Sequence, residues 1–352
     1  MKIIAATCAG ISLLLLGGCL SARPVATNRP PVTEPEPGRA RQPVWRGLHL
    51  LINGDADIVI LQEQLPRLAA AGVNTLILEV GYNFVFSSHP ELNAATGVTA
   101  ARAHRLAAAA RQAGIRLIPE LDCLGHQSWS KKTMALLAKH PEFDETPGFF
   151  PDNAGIYCRS WCPQHPGVNA VVFDLIDELA QAFEADAFHV GMDEVFLIAS
   201  DHCPRCRGGD PARLFARAVN DLHGHIVGQR HLEMLMWGDR LLDAAALNGG
   251  EWEYAKNGTA GAVDLIPKDI VICDWHYEKQ AAYPSVPLLL GKGFRVWPSG
   301  WQPLENAQAF SAYCRRQQNA HVVGFLSTVW GKTTMDRIAD WPPVAEVLAA
   351  WK

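Results

Sequence analysis

From Val44 onward, short unbroken apolar runs alternate with longer stretches whose apolar residues recur at helical spacing. The runs at 44–51, 74–80, 115–121, 187–192, 232–237, 270–275, 294–297 and 322–329 predict eight strands. Amphipathic stretches at 58–71, 100–113, 169–183, 211–227 and 306–318 predict helices, the first two stopped by Gly72 and Gly114. Strands that are apolar on both faces belong to a parallel sheet covered on both sides. Eight such units imply a closed (β/α)8 TIM barrel, one α/β domain over 44–352. The alternative is an open doubly wound sheet, but no glycine-rich phosphate turn follows the first strand.

The pattern does not hold before Val44. Lys2 precedes a mostly apolar stretch, 3–16, that is short for a bilayer span and reads as a signal-peptide core. Leu16-Gly17-Gly18-Cys19 then resembles a bacterial lipobox, so 1–19 is expected to be a signal ending at a lipidated Cys19. Leu20 stands where an Asp would signal inner-membrane retention, which favours an outer-membrane lipoprotein of the cell envelope. Six prolines among polar residues at 20–43 predict a tether.

Composition narrows the picture further. A chain of 352 residues that is 49% hydrophobic can fill a large core, which excludes a disordered or fibrous class. Its net charge of -5 and the lack of a long basic run argue against nucleic acid. Polar residues recur at one end of the predicted strands: Glu79; Glu120, Asp122 and His126; Asp193 and Glu194; Trp237 and Asp239; Asp274, Trp275, His276 and Tyr277; Trp297; Trp330. Barrel enzymes build their sites on the C-terminal rim. Several of the eleven tryptophans fall there too, and indole suits the apolar face of a sugar ring. Trp45 and Trp341 read as core packing. Carboxylates and aromatics sharing a rim fit acetal hydrolysis, which needs a proton donor and stabilisation of an oxocarbenium-like centre.

Nine cysteines are present. Cys8 leaves with the signal. Cys158, Cys162, Cys203 and Cys206 form two short-spaced pairs that fit either a structural zinc site or disulfides. Cys123, Cys273 and Cys314 lie in apolar contexts and read as packed small hydrophobes.

Several segments in register resemble glycoside hydrolase family 20. His189-Val190-Gly191-Met192-Asp193-Glu194 resembles that family's His-x-Gly-x-Asp-Glu signature. Pro119-Glu120-Leu121-Asp122-Cys123-Leu124-Gly125-His126 resembles its Pro-Glu-x-Asp-x-x-Gly-His segment. Arg46-Gly47, Trp237-Gly238-Asp239 and Trp330 match further positions, so the likeness runs from Val44 to Trp330. The resemblance implies a β-N-acetylhexosaminidase with no required cofactor, in which the substrate's 2-acetamido oxygen is the nucleophile. It implies Glu194 as general acid and base, and Asp193 as the residue that orients the acetamido N–H. Adjacent strand-end residues are expected to point different ways and so serve different atoms. Arg46 would grip ring hydroxyls and His126 would tune the acid. Tyr277, or alternatively His276, would donate to the acetamido carbonyl, and Trp237, Trp275 and Trp330 would wall its pocket. His189 reads as structural.

The chain departs from the family at Met192, at Leu51, and at Gly331-Lys332, where a hydroxyl-binding carboxylate often stands. The small α+β domain that usually precedes the barrel has no counterpart. The expected partner is a glycan carrying a 2-acetamido sugar, N-acetylglucosamine or N-acetylgalactosamine. Two other readings remain open. One is a two-carboxylate glycosidase using Glu120, Asp122 or Glu79. The other is a non-catalytic glycan-binding lipoprotein.

Overall fold

A computed structural model describes residues 43–352 apart from Lys332. The signal, Cys19 and the tether up to Gln42 lie outside the described residues. The eight strands are β1 (Trp45–Leu51), β2 (Thr75–Glu79), β3 (Arg116–Cys123), β4 (Ala187–Gly191), β5 (Glu233–Trp237), β6 (Val271–Trp275), β7 (Arg295–Gly300) and β8 (Gly324–Val329). They close into one parallel barrel in chain order, β8 pairing back onto β1 with Trp45 opposite Gly324. The helices outside it are α1 (Asp55–Ala71), α2 (Ala100–Gln112), α3 (Val168–Ala182), α4 (Pro211–His223), α5 (Ser285–Gly291) and α6 (Leu304–Arg316).

Local chemistry sets these boundaries. In α1 the buried residues Ile58, Leu61, Leu65 and Leu68 make one stripe, and Gly72 ends the helix at φ 98°, its N–H donating to the Ala69 carbonyl and the next N–H, of Val73, to the Leu68 carbonyl. In α4 the Asp210 carboxylate caps the N–H groups of Ala212 and Arg213, with Pro211 in the first turn. The predicted helix 211–227 changes to a wider π-turn at Gly224–Gln229. Between β5 and β6 no long helix forms among the described residues. Asn248, Gly249 and Gly250 stop the short helix Ala244–Leu247, and a 3-10 segment, Thr259–Asp264, follows.

Two cores result. The larger lies between strands and helices. The smaller fills the barrel with Ile77, Ile118, Leu235, Trp237, Val271, Cys273, Trp297 and Leu326. Trp297 is therefore no rim residue. It is fully buried, and β7 continues three residues past it, because Pro298 forgoes one ladder hydrogen bond without ending the strand. Trp45 meets Trp297 edge-on with ring centroids 5.0 Å apart. Gly47 makes room for this packing, since a Cβ there would lie 2.2 Å from the Trp297 ring. Gly47→Ala is expected to destabilise the fold by at least about 1–3 kcal/mol, read from denaturant unfolding. An unchanged midpoint would show that the inner core can shift freely. Cys123, Cys273 and Cys314 are buried free thiols.

Candidate active site

The C-terminal ends of the strands bring the predicted carboxylates together. β4 ends at Gly191, and the chain then turns through left-handed backbone at Gly191 (φ 64°), Met192 (φ 73°) and Glu194 (φ 48°). A Cβ at Gly191 would lie 2.9 Å from Asp122 Cα, so only glycine fits there. Left-handed backbone at a non-glycine residue costs on the order of 1–3 kcal/mol. Here it reverses an expectation: Asp193 and Glu194 do not diverge as strand neighbours would. Both converge on His126 Nε2, with Asp193 Oδ2 and Glu194 Oε2 each 3.2 Å away. The strand geometry has already ended, so its alternation no longer applies.

The β3–α3 loop supplies His126 from equally unusual backbone, Leu124 and His126 having φ of 66° and 54°. A Cβ at Gly125 would come 2.8 Å from the Asp193 carbonyl, so this glycine lets the loop press against the acid pair. Burial alone would lower the His126 pKa. The Asp193 charge and the close approach of both carboxylates overcome it and hold the imidazole well above its ordinary value, as a cation.

Asp239 anchors the pair from β5. Its Oδ2 accepts the Glu194 backbone N–H at 2.9 Å and the Arg240 Nε–H at 2.6 Å. Trp275 Nε1 lies 3.4 Å from the other oxygen. Burial pushes the Asp239 pKa up to about 6, against Arg240 and with help from Asp193 and Glu194. Arg240 is fixed in turn by the carbonyls of Glu251, Trp252 and Tyr254.

Below the pair lies a buried charged network. Glu120 accepts from Trp237 Nε1 at 2.9 Å and sits 2.9 Å from His49 Nε2 and 2.7 Å from His189 Nδ1. Glu79 approaches His49 at 3.1 Å. Burial would raise the Glu120 pKa, but the two imidazoles hold it far below the carboxylate range. Burial would lower His49, but Glu120 and Glu79 push it up to about 10. A raised histidine contributes stability that is complete below its ordinary pKa of 6.5 and is lost as pH rises through about 10. A depressed carboxylate contributes stability above its ordinary value of 4.5 that is lost on acidification. The thermal midpoint is therefore expected to peak between about pH 4.5 and 6.5 and fall steadily toward pH 10. A midpoint flat from pH 6.5 to 10 would remove the charge from His49.

The aromatic surroundings divide by depth. Trp237 is 2% exposed, its indole N–H committed to Glu120. Trp330 packs 4.6 Å from His49 and donates to Tyr277 Oη at 2.8 Å, and Thr328 donates to the same oxygen at 3.3 Å. Trp275 and Tyr277 lie 4.9 Å apart. Burial raises the Tyr277 phenol above its ordinary value, with the Asp193 and Glu194 charges adding, so it stays a neutral donor beside the pair. Four aromatics were not singled out from the sequence. Tyr157, whose phenol burial and Glu194 push up, stands edge-on to Phe196 and Trp252 at 5.7 and 4.9 Å. Trp129 lies 5.5 Å from Tyr157. Trp129 sits in a two-residue strand, Ser128–Trp129, and the other three are on loops, so no periodicity in the pattern marks them.

Three assignments need correction. Arg46 does not reach the rim: it is the second residue of β1, at the barrel's opposite end, where its Nε donates to the Gly72 carbonyl at 2.5 Å. His276, the alternative to Tyr277, turns away into the protein, 2.6 Å from Glu253 and 2.7 Å from Ser285 Oγ. Cys158 stands apart from the other three paired cysteines. Its Sγ–H donates to the Glu194 carbonyl at 3.5 Å, whereas Cys162, Cys203 and Cys206 cluster with Glu145.

Among the described residues, three groups have metal-ligand chemistry: Glu145-Cys162-Cys203-Cys206, His49-Glu79-Glu120 and His126-Asp193-Glu194. The last two already contain a cation, His49 or His126, raised as described.

The fold and site define a (β/α)8 barrel with an adjacent Asp–Glu pair on its C-terminal rim. The catalytic-domain model of glycosyl hydrolase family 20 matches residues 47–340, and the chain belongs to that family. A β-hexosaminidase of Vibrio furnissii is 26% identical over 232 residues, covering 62% of this chain and 33% of that protein. One of Porphyromonas gingivalis is 24% identical over 241 residues, covering 62% and 28%. The chain thus spans about a third of the length of these relatives. The fold matches the Flavobacterium johnsoniae chitobiase structure with a TM-score of 0.64 at 18% identity, over 86% of this chain and 47% of that one.

Proposed function

We propose that this protein hydrolyses terminal β-linked N-acetylhexosamine, N-acetylglucosamine or N-acetylgalactosamine, by substrate-assisted retaining catalysis. The observation that carries this reading is the Asp193 carboxylate. Its Oδ2 faces His126, while its Oδ1 is buried and accepts no hydrogen bond from the described residues. A buried acceptor without a donor costs on the order of 1–3 kcal/mol. An acetamido N–H brought against it would satisfy it, and the Tyr277 hydroxyl would hold the acetamido carbonyl.

The chemistry follows from that placement. The acetamido oxygen forms a bond to the anomeric carbon as the glycosidic C–O bond breaks. The departing oxygen keeps the electron pair and takes the Glu194 proton. Asp193 offsets the positive charge of the oxazolinium ion. Water then attacks the same carbon, gives its proton to Glu194, and restores the acetamido group. No cofactor enters these steps. The cationic His126 between the carboxylates is suited to hold their spacing while charge moves.

Geometry weakens the two-carboxylate reading for one of its three candidates. Glu120 is fully buried and committed to His49, His189 and Trp237, so it cannot attack a sugar. In the proposed reading the lipidated Cys19 would hold the enzyme at the envelope.

Paired aryl β-glycosides carrying 2-acetamido or 2-hydroxyl groups test the proposal. Turnover of the acetamido substrate with loss of at least about 10³-fold on the hydroxyl substrate is expected, since the nucleophile is removed. Comparable turnover on both would point to an enzyme nucleophile.

A further inference from the structure

Beside the catalytic loops, two stretches distant in sequence meet at one buried point. The β3–α3 loop brings Glu145 and Cys162, and the β4–α4 loop brings Cys203 and Cys206. All four are almost wholly buried. Their three sulfurs and one carboxylate oxygen lie within 4.8 Å of one another. Cys162 Sγ is 3.4 Å from Cys206 Sγ and 3.5 Å from Cys203 Sγ. A disulfide would bring one pair to about 2.05 Å and leave the third sulfur out. Three sulfurs about 2.3 Å from a tetrahedral zinc stand about 3.8 Å apart. The observed crowding is close to that second arrangement.

Two independent features point to the same centre. Glu145 Oε1 accepts the Ser200 backbone N–H at 3.0 Å, but Oε2 is buried with no hydrogen-bond partner among the described residues. The Cys203-x₂-Cys206 turn also folds back on itself, with the Cys206 N–H donating to Cys203 Sγ at 3.3 Å. Backbone donors to sulfur are the surroundings a metal thiolate needs. The group has no imidazolium to neutralise it, unlike the other two carboxylate clusters.

We propose that Glu145, Cys162, Cys203 and Cys206 bind a zinc ion in a closed structural site. Zinc enters as three thiol protons leave to solvent, and the carboxylate oxygen completes the tetrahedron. Four protein ligands leave no open position, so the ion has no place in the sugar chemistry. It ties the loop bearing His126 and Tyr157 to the loop bearing Asp193 and Glu194.

The test is the zinc content of the full chain, purified without chelator, beside its free-thiol count after denaturation without reductant. About one zinc per chain is expected, retained in Cys158→Ser and lost in Cys206→Ser. Glu145→Ala should release zinc at a chelator concentration the parent protein resists. Where a variant fails to fold, cobalt replacement in the parent protein serves instead. Cobalt should show thiolate charge-transfer bands and the intense visible bands of a tetrahedral site. Folded parent protein that takes up neither metal, a disulfide among Cys162, Cys203 and Cys206, or zinc retained in Cys206→Ser would each overturn the proposal. Hexosaminidase activity is not the readout, so this result stands or falls separately from the proposed reaction.

Discussion

Glu194→Gln is expected to lower turnover of an N-acetyl-β-hexosaminide with a poor leaving group by about 10²–10⁴-fold. Binding should change little. Glutamine keeps the size and polarity of the side chain, and the backbone N–H that Asp239 accepts is untouched. The transferable proton is lost, and with it the base for the later attack of water and the carboxylate beside His126. A substrate whose leaving group departs as a stable anion needs no such proton, so its glycosyl transfer step should be largely restored. Burst kinetics on the two substrate types would separate that step from the later attack of water. Equal loss on good and poor leaving groups would remove the acid role from Glu194 and assign it to binding or folding.

The second large effect concerns stability. Glu120 is fully buried, packs against the His49 and His189 imidazoles and accepts the Trp237 indole N–H. Glu120→Gln preserves volume but leaves those groups facing a neutral amide. Breaking a buried charge network from one side costs on the order of 3–5 kcal/mol. Denaturant unfolding should therefore show a loss of that order with little change in slope. The alkaline decline attributed to His49 should flatten as well, because its main anionic partner is gone. A loss under about 1 kcal/mol would mean the network carries no net charge interaction.

The sequence was most legible where periodicity and burial coincide. Strands apolar on both faces could only belong to a covered parallel sheet, and all eight predicted runs are barrel strands. The acid pair was legible because it follows the apolar run of β4 directly. Arg46 was misplaced although the pattern held the correction: the second residue of a seven-residue strand lies at the end opposite the rim. The cysteines misled through spacing. Two short-spaced pairs suggested one zinc site or disulfides among four cysteines, but the structure turns Cys158 toward the Glu194 carbonyl and gathers the other three around Glu145, 17 residues before Cys162. Convergence at His126 was hidden because strand alternation fails once the backbone turns left-handed at Met192 and Glu194. Tyr157, Phe196 and Trp252 lie on loops, where only the folded chain shows which rings meet.

In the proposed reaction Asp193 receives the acetamido group and its oxazolinium ion. Calorimetric titration of a thiazoline that mimics this intermediate tests it directly, with the parent protein beside Asp193→Asn. Binding to the parent protein is expected, with a loss of at least about 2–3 kcal/mol in the variant, since a charged hydrogen bond is removed. Equal affinity in both, with the variant shown to be folded, would contradict it.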